Sequence, residues 1–205
     1  MTAHTKTDKL ETFFQQLFRG ASLEGITSLN TINQVNKNIF ILRPLINISR
    51  IETHWFCRKF SLPIWSDISN YNYSINRNRI RYELMPYLKQ YFNKNIFNNI
   101  FYFLSTAGID NEYIKQCSLK LYLLSRHNLY IALNYELIQQ QHYSIQCRVL
   151  YIFFYHNLNK LIEKNSINYI INYFNYNKNN KTKIIYRSIS INLDHNWIYI
   201  SLTKH

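Results

Sequence analysis

Two carboxylates three residues apart, Asp8 and Glu11, and a run of guanidinium groups, Arg77, Arg79 and Arg81, are the side chains of this chain best suited to chemistry. At that spacing on a helix both acids share a face and can point at one site. Acids in a first helical turn also favour the helix dipole, so a purely structural role stays open for them. Guanidinium groups clamp phosphates through paired hydrogen bonds, and a dense run of them repels itself unless an anion lies nearby. The alternative for the arginines is a solvated basic helix start.

The elements that must position these groups follow from spacing. Leu10, Phe13, Phe14, Leu17 and Phe18 fall on one face, which predicts a helix over 8–19. Thr5 and Asp8 have the spacing of a capping box, and Gly20 stands where a left-handed cap belongs. Asn38–Leu42 suits a short buried strand ended by Arg43-Pro44. Ser49 and Glu52 make a second capping box, opening a helix with Ile51, Trp55 and Phe56 on one face, which should stop before Leu62-Pro63. The polar stretch 66–75 reads as turns. Pro86, inside the next helical pattern, implies a kink or a fresh start. Apolar stripes then run through Ile96–Leu104 before Gly108, Ile114–Leu124, Ile145–Phe154 and Ile167–Phe174. The segment 175–183 reads as a solvated loop. Ile184–Ile191 and Trp197–Leu202 flank Asn192-Leu-Asp-His-Asn as a hairpin. The expected architecture is α/β over residues 1–90, then a mainly α-helical region with a C-terminal hairpin over 91–205.

Composition bounds the partners. Hydrophobic residues make up 47% of the 205, too many for wholesale disorder. A formal charge of +13, with only 11 acidic residues, attracts polyanions, nucleic acid first among them. Tyr (18), Phe (13), Asn and Ile are abundant while Gly and Pro number 3 each, a skew that follows AT-rich codons and weakens any argument from aromatic stacking. Cys57, Cys117 and Cys147 are scattered with no CxxC, so neither a disulfide framework nor a zinc site is expected. The longest apolar run, Val149–Tyr155, is far below the roughly 20 residues of a membrane span. No signal or transit sequence opens the chain.

Three ordered blocks carry a family resemblance. Thr2-Ala-His-Thr-Lys-Thr-Asp-Lys-Leu-Glu-Thr12, with Leu17-Phe-Arg-Gly20 and Gly25, is similar to an H-x-x-D-D-Q-x-E-T segment and the L-x-R-G turn ending its helix. Arg43-Pro-Leu45 with Ser49-Arg-Ile-Glu52 matches an R-P-L strand end and the capped helix beyond it. Trp65, Asp67, Ser69-Asn70 and Arg77-Asn-Arg-Ile-Arg81 with Pro86 are similar to a D-x-S-N … R-N-x-[IL]-R … P signature. Together they resemble the tRNA(Ile)-lysidine synthases, N-type ATP pyrophosphatases.

The resemblance implies part of a Rossmann-like nucleotide-binding domain followed by a tRNA-recognition region. It implies ligation of free L-lysine to C2 of the wobble cytidine of tRNA(Ile) with a CAU anticodon, so that the tRNA reads AUA. ATP first adenylates the C2 oxygen, releasing pyrophosphate; the lysine amine then displaces AMP. Asp8 and Glu11 become the expected catalytic residues, with Asp8 also a Mg²⁺ ligand. His4 and Arg43 become expected nucleotide or phosphate contacts, and Arg77, Arg79 and Arg81 expected tRNA contacts. ATP and Mg²⁺ are the cofactors expected. The plastid stroma is the expected compartment, the cytoplasm of an AT-rich bacterium the alternative, and no membrane partner is expected.

The sequence also departs from the family pattern. Its S-G-G-x-D-S loop, whose backbone amides cradle pyrophosphate, is absent, and no two glycines are adjacent. Thr7 stands where the family has its first Asp, and Lys9 replaces the Gln. The chain therefore reads as N-terminally truncated, with an upstream-encoded N-terminal fragment as an expected partner. The competing reading is a non-catalytic tRNA-binding fragment or remnant, for which the helical half and the arginines suffice.

Overall fold

The computed structural model describes residues 1–36, 38–65, 72–159, 162–176, 182–186, 189–194 and 196–202. Asp67, Ser69, Asn70 and most of the 66–75 turn region lie outside them. The chain is mixed α/β and divides into two compact units, Met1–Asn111 and Glu112–His205.

In the first unit, α1 (Lys6–Phe18) starts at the expected capping box: Asp8 accepts from the Thr5 N–H at 2.8 Å, and the Asp8 N–H donates to the Thr5 hydroxyl. It ends at Gly20, whose φ of +68° only glycine adopts without strain. A short α2 (Leu23–Ile26) leads to β1 (Ile32–Asn36), a strand the sequence reading passed over. This pairs antiparallel with β2 (Ile39–Leu42). The strand foreseen here as buried is instead an exposed ribbon, with Ile39 and Phe40 54% and 59% accessible. Only β1 pairs with it among the described residues, and no second layer covers it.

The second capping box opens α3 (Arg50–Lys59), which stops at Phe60 as expected, yet none of its residues is buried. The arginine run forms α4 (Asn76–Arg79), which passes through a π-helical turn (Ile80–Leu84) into α5 (Met85–Tyr91). Pro86 supplies the reason: it has no N–H for the ladder, and its ring crowds the carbonyl four residues back. Leu10, Phe13 and Phe14 of α1 pack with Ile80, Met85 and Leu104 as this unit's core.

Leu104 belongs to α6 (Ile96–Ser125), one helix where two were expected. Gly108 does not end it, because a helix-interior glycine costs only about 1 kcal/mol relative to alanine. The first turns of α6 join the α1 core, so the first unit runs on past residue 90 to Asn111.

The second unit contains β3 (Ala132–Asn134), α7 (Tyr135–Gln139), α8 (Tyr143–Leu158), α9 (Lys164–Tyr176), β4 (Thr182–Tyr186), β5 (Ile189–Asp194) and β6 (Trp197–Leu202). The strands form an antiparallel sheet in the order β3-β6-β5-β4. The expected hairpin is β5–β6, but the run 184–191 is two paired strands rather than one. Both ends of the expected 175–183 loop lie in regular elements, α9 and β4, and 177–181 lie outside the described residues. Alternation gives the sheet an apolar face of Ile184, Ile191, Leu193 and Ile198, packed with Val149, Leu150, Phe153 and Phe154 of α8 and Ile167, Ile170, Ile171 and Phe174 of α9. Among the described residues no helix is long and apolar enough to cross a membrane.

Candidate functional site

The fold brings Asp8 and Glu11 against Arg77 and Arg81, some seventy residues away in sequence. Arg77 donates from Nε to Glu11 Oε2 at 2.7 Å and from Nη2 to Asp8 Oδ1 at 2.6 Å. Arg81 donates from Nε to Glu11 Oε1 at 2.5 Å and from Nη2 to Glu11 Oε2 at 2.8 Å. Glu11 is fully buried, and both its oxygens are taken. It is the inner bolt of the cluster, holding the guanidinium planes still.

The outer surface is a cavity of about 340 Å³, whose wall includes His4, Asp8, Arg50, Arg77, Asn78 and Arg81. Three guanidinium groups and an imidazole face it against one carboxylate, so it favours an anion of phosphate type. Burial alone would raise the Asp8 carboxyl. The Thr5 hydroxyl and amide, then Arg77 and Arg50, outweigh burial and hold it below the usual carboxylate range. The hydrogen bonds that Arg81 donates to Glu11 raise its guanidinium further, so both groups stay charged. His4 Nδ1 lies 2.9 Å from the Thr2 hydroxyl, which fixes its ring at the rim.

Among the described residues no three His, Cys, Asp or Glu side chains are grouped as a metal cage. Asp8 is the one carboxylate of the wall among the described residues. That donor set fits an ion carried mainly by substrate phosphates, as Mg²⁺ commonly is, and does not fit a protein-held ion.

Some expected site residues fall elsewhere. Arg79 points away from Arg77 and Arg81: on a helix, positions 77 and 81 share a face and 79 does not. It pairs with Glu83 at 3.1 Å and lines a second groove of about 660 Å³ with Phe18, Arg19 and Tyr87. Arg43 is buried and is not on the cavity wall; its Nη1 donates to the Asn30 carbonyl and to Asn33 Oδ1, pinning the base of the β1–β2 ribbon.

Arg50 and Asn78 were not singled out from sequence, although both stand inside the quoted motif blocks. Their signal was position: Arg50 is the first residue of a capped helix, and Asn78 sits between Arg77 and Arg79 and anchors the Asn72 carbonyl. The two departures from the family pattern are also placed. The Thr7 hydroxyl accepts the Arg50 N–H, and Lys9 lies over the Phe101 ring; neither lines the cavity.

A cation-walled cavity beside the amino end of a capped helix, in an α/β unit, has the chemistry of the phosphate sites of nucleotide-binding proteins. Sequence comparison agrees: the PP-loop domain family matches residues 1–88. A chloroplastic tRNA(Ile)-lysidine synthase of Gracilaria tenuistipitata var. liui is 51% identical over 98% of this chain and 62% of its own length. That of Pyropia yezoensis is 40% identical over 97% of this chain and 60% of its own, and a tRNA(Ile)-lysidine synthase of Synechocystis sp. is 32% identical over 73% and 47%. The chain thus spans about 60% of the length of the first two curated relatives. It belongs to the tRNA(Ile)-lysidine synthase family.

Proposed function

We propose that this chain supplies the tRNA-facing part of a lysidine synthase acting in the plastid stroma. The reaction is the ATP-dependent ligation of free L-lysine to C2 of the wobble cytidine in the CAU anticodon of tRNA(Ile). One observation carries the reading: Asp8, Arg50, Arg77 and Arg81, far apart in sequence, stand on a single cavity wall.

Each residue then has a task. Arg50, Arg77 and Arg81 hold phosphate oxygens of the nucleotide or of the tRNA backbone at the cavity. Asp8, kept ionised by its neighbours, is the anionic partner for the lysine ammonium or for a phosphate-borne Mg²⁺. Mg²⁺ itself would neutralise phosphate charge during adenylation. Glu11 is a positioning residue, since it reaches the cavity only through the arginines it holds. Arg79, on the outer face, contacts tRNA phosphate. The net charge of +13 adds sequence-independent attraction to the tRNA. The phosphate-cradling loop, which these residues do not contain, comes from the part of the family's domain outside them.

The test is lysine incorporation into a tRNA(Ile) transcript with a CAU anticodon, using this chain mixed with the unmatched part of the Gracilaria relative. The expected result is ATP-dependent incorporation that disappears when the wobble cytidine is replaced. A mixture that binds the tRNA but neither incorporates lysine nor releases pyrophosphate would leave only a non-catalytic tRNA-binding module.

A further inference from the structure

A groove of about 660 Å³ opens between the last turns of α1 and the start of α5, on the flank of α4 away from the phosphate cavity. Arg77 and Arg79, two residues apart on one helix, point about 200° from each other, so each serves a different flank. The volume lies within the range of sites that take a small ligand.

Three kinds of group line it. Phe18 and Tyr87 present rings that are 65% and 53% exposed, beside the buried Ile80. The side-chain amides of Gln15 and Asn76 have no hydrogen-bond partner among the described residues, and each offers both a donor and an acceptor. Arg19 and Arg79 bring two positive charges, and Glu83, 3.1 Å from Arg79, offsets one of them. A ring face to stack on, amides for a base edge and a guanidinium for a phosphate are the three requirements of a splayed-out nucleotide. Codon skew can supply surface Phe, Tyr and Asn, but it favours Lys over Arg, and both cations of this groove are arginines.

Charge decides the occupant. One net positive charge matches the single negative charge of a phosphodiester and is too little for a triphosphate, so the groove suits a nucleotide within an RNA strand. We infer that it holds one unpaired nucleotide of the bound RNA, a different one from the wobble cytidine that reacts at the cavity. The base stacks on Phe18 and Tyr87, Gln15 and Asn76 meet its edge, and Arg19 and Arg79 hold its phosphate. An unpaired loop laid across α4 reaches both flanks at once. A paired duplex does not, because its bases stay stacked inside it. The inference rests on tRNA as the substrate, and it adds where a second base of that RNA goes.

The probes are two RNAs of equal length, a stem-loop with a CAU loop and a blunt duplex, each titrated with the full chain. Phe18→Ala and Tyr87→Ala should each weaken stem-loop binding about 10-fold, as expected for losing one base–aromatic stack, and leave duplex affinity unchanged. Both side chains are more than half exposed, so neither variant opens a core. Phe18→Tyr and Tyr87→Phe keep a ring and should bind the stem-loop as the parent chain does. Arg19→Ala should lower the salt slope of stem-loop binding by about 1, and an unaltered slope would overturn the phosphate contact. Ring variants that weaken both RNAs equally, or neither, overturn the inference. So does AMP binding that Phe18→Ala abolishes while stem-loop affinity stays intact, which marks a free-nucleotide site, and so does a ring variant that changes only the oligomeric state. Lysine incorporation with the complete PP-loop domain separates the two readings. Full incorporation with indifferent ring variants defeats only the groove, and ring-dependent stem-loop binding without incorporation defeats only the enzymatic reading.

Discussion

The two units are held together by different physics. In the second, seventeen buried residues among those described form one apolar cluster between a four-stranded sheet and helices α7, α8, α9 and the end of α6. In the first, the cluster has six among the described residues, and a part-buried ion network of Asp8, Glu11, Arg77 and Arg81 joins α1 to α4 and the π-helical turn after it. A dry core needs nothing from outside. A buried ion network is a different bargain, because desolvation of the charges consumes much of their attraction. It gives little net stability, but it sets the direction of two guanidinium groups toward a cavity. The second unit closes on its own apolar interior, while the first directs charge to a cavity wall and leaves α3 and the ribbon exposed.

The sharpest way to break this contrast is to remove one member of each interior. Glu11→Ala removes the buried acid to which both arginines donate and should destabilise the first unit by about 3–5 kcal/mol. Phe153→Ala should destabilise the second by a similar amount, about 3–5 kcal/mol, through a cavity. Hydrogen exchange resolved by unit checks both; equal loosening of both units in either variant would erase the distinction. Asp8→Asn keeps the size and capping geometry but not the charge. In an assay with the complete PP-loop domain, it should lower lysine incorporation about 100-fold, the range for losing one aligned polar group at a reacting centre. Its tRNA affinity should be unchanged, which filter binding would show.

Acid gives a smaller and graded effect. The folded carboxyl of Asp8 lies below its ordinary 3.8, so its contribution is fully present above that value. It is lost as the pH falls through the lower folded value. The first unit should therefore loosen before the second when exchange is followed from pH 5 downward, and simultaneous loosening would count against the assignment. The smallest effect is expected at Arg79, whose pair with Glu83 is exposed on both sides. Arg79→Ala should change stability by less than about 0.5 kcal/mol and reduce the salt slope of tRNA binding by about 1. An unaltered slope would remove Arg79 from the RNA-facing surface.

Local chemistry was legible in the amino-acid order. Both capping boxes, the Gly20 stop, the break at Pro86 and the apolar faces of α8 and α9 depend on neighbours within a few residues, and the structure has them. The three motif blocks were enough to reach the family. Burial was less legible: periodicity marked the apolar faces of α3 and β2 but could not say whether anything covers them. The site was only half legible, because Glu11, Asp8 and the arginines are recognisable by type while their pairing spans some seventy residues.

The sequence alone determined where α1 and α3 start and stop and which side chains carry charge, since those follow from short-range hydrogen bonding and residue chemistry. Only the tertiary structure decided that Glu11 lies behind the cavity and Asp8 on it, that Arg79 faces away from Arg77 and Arg81, and that Arg43 serves the ribbon. Those outcomes depend on how α1 and α4 come together, and a distance across seventy residues is written in packing, not in local spacing.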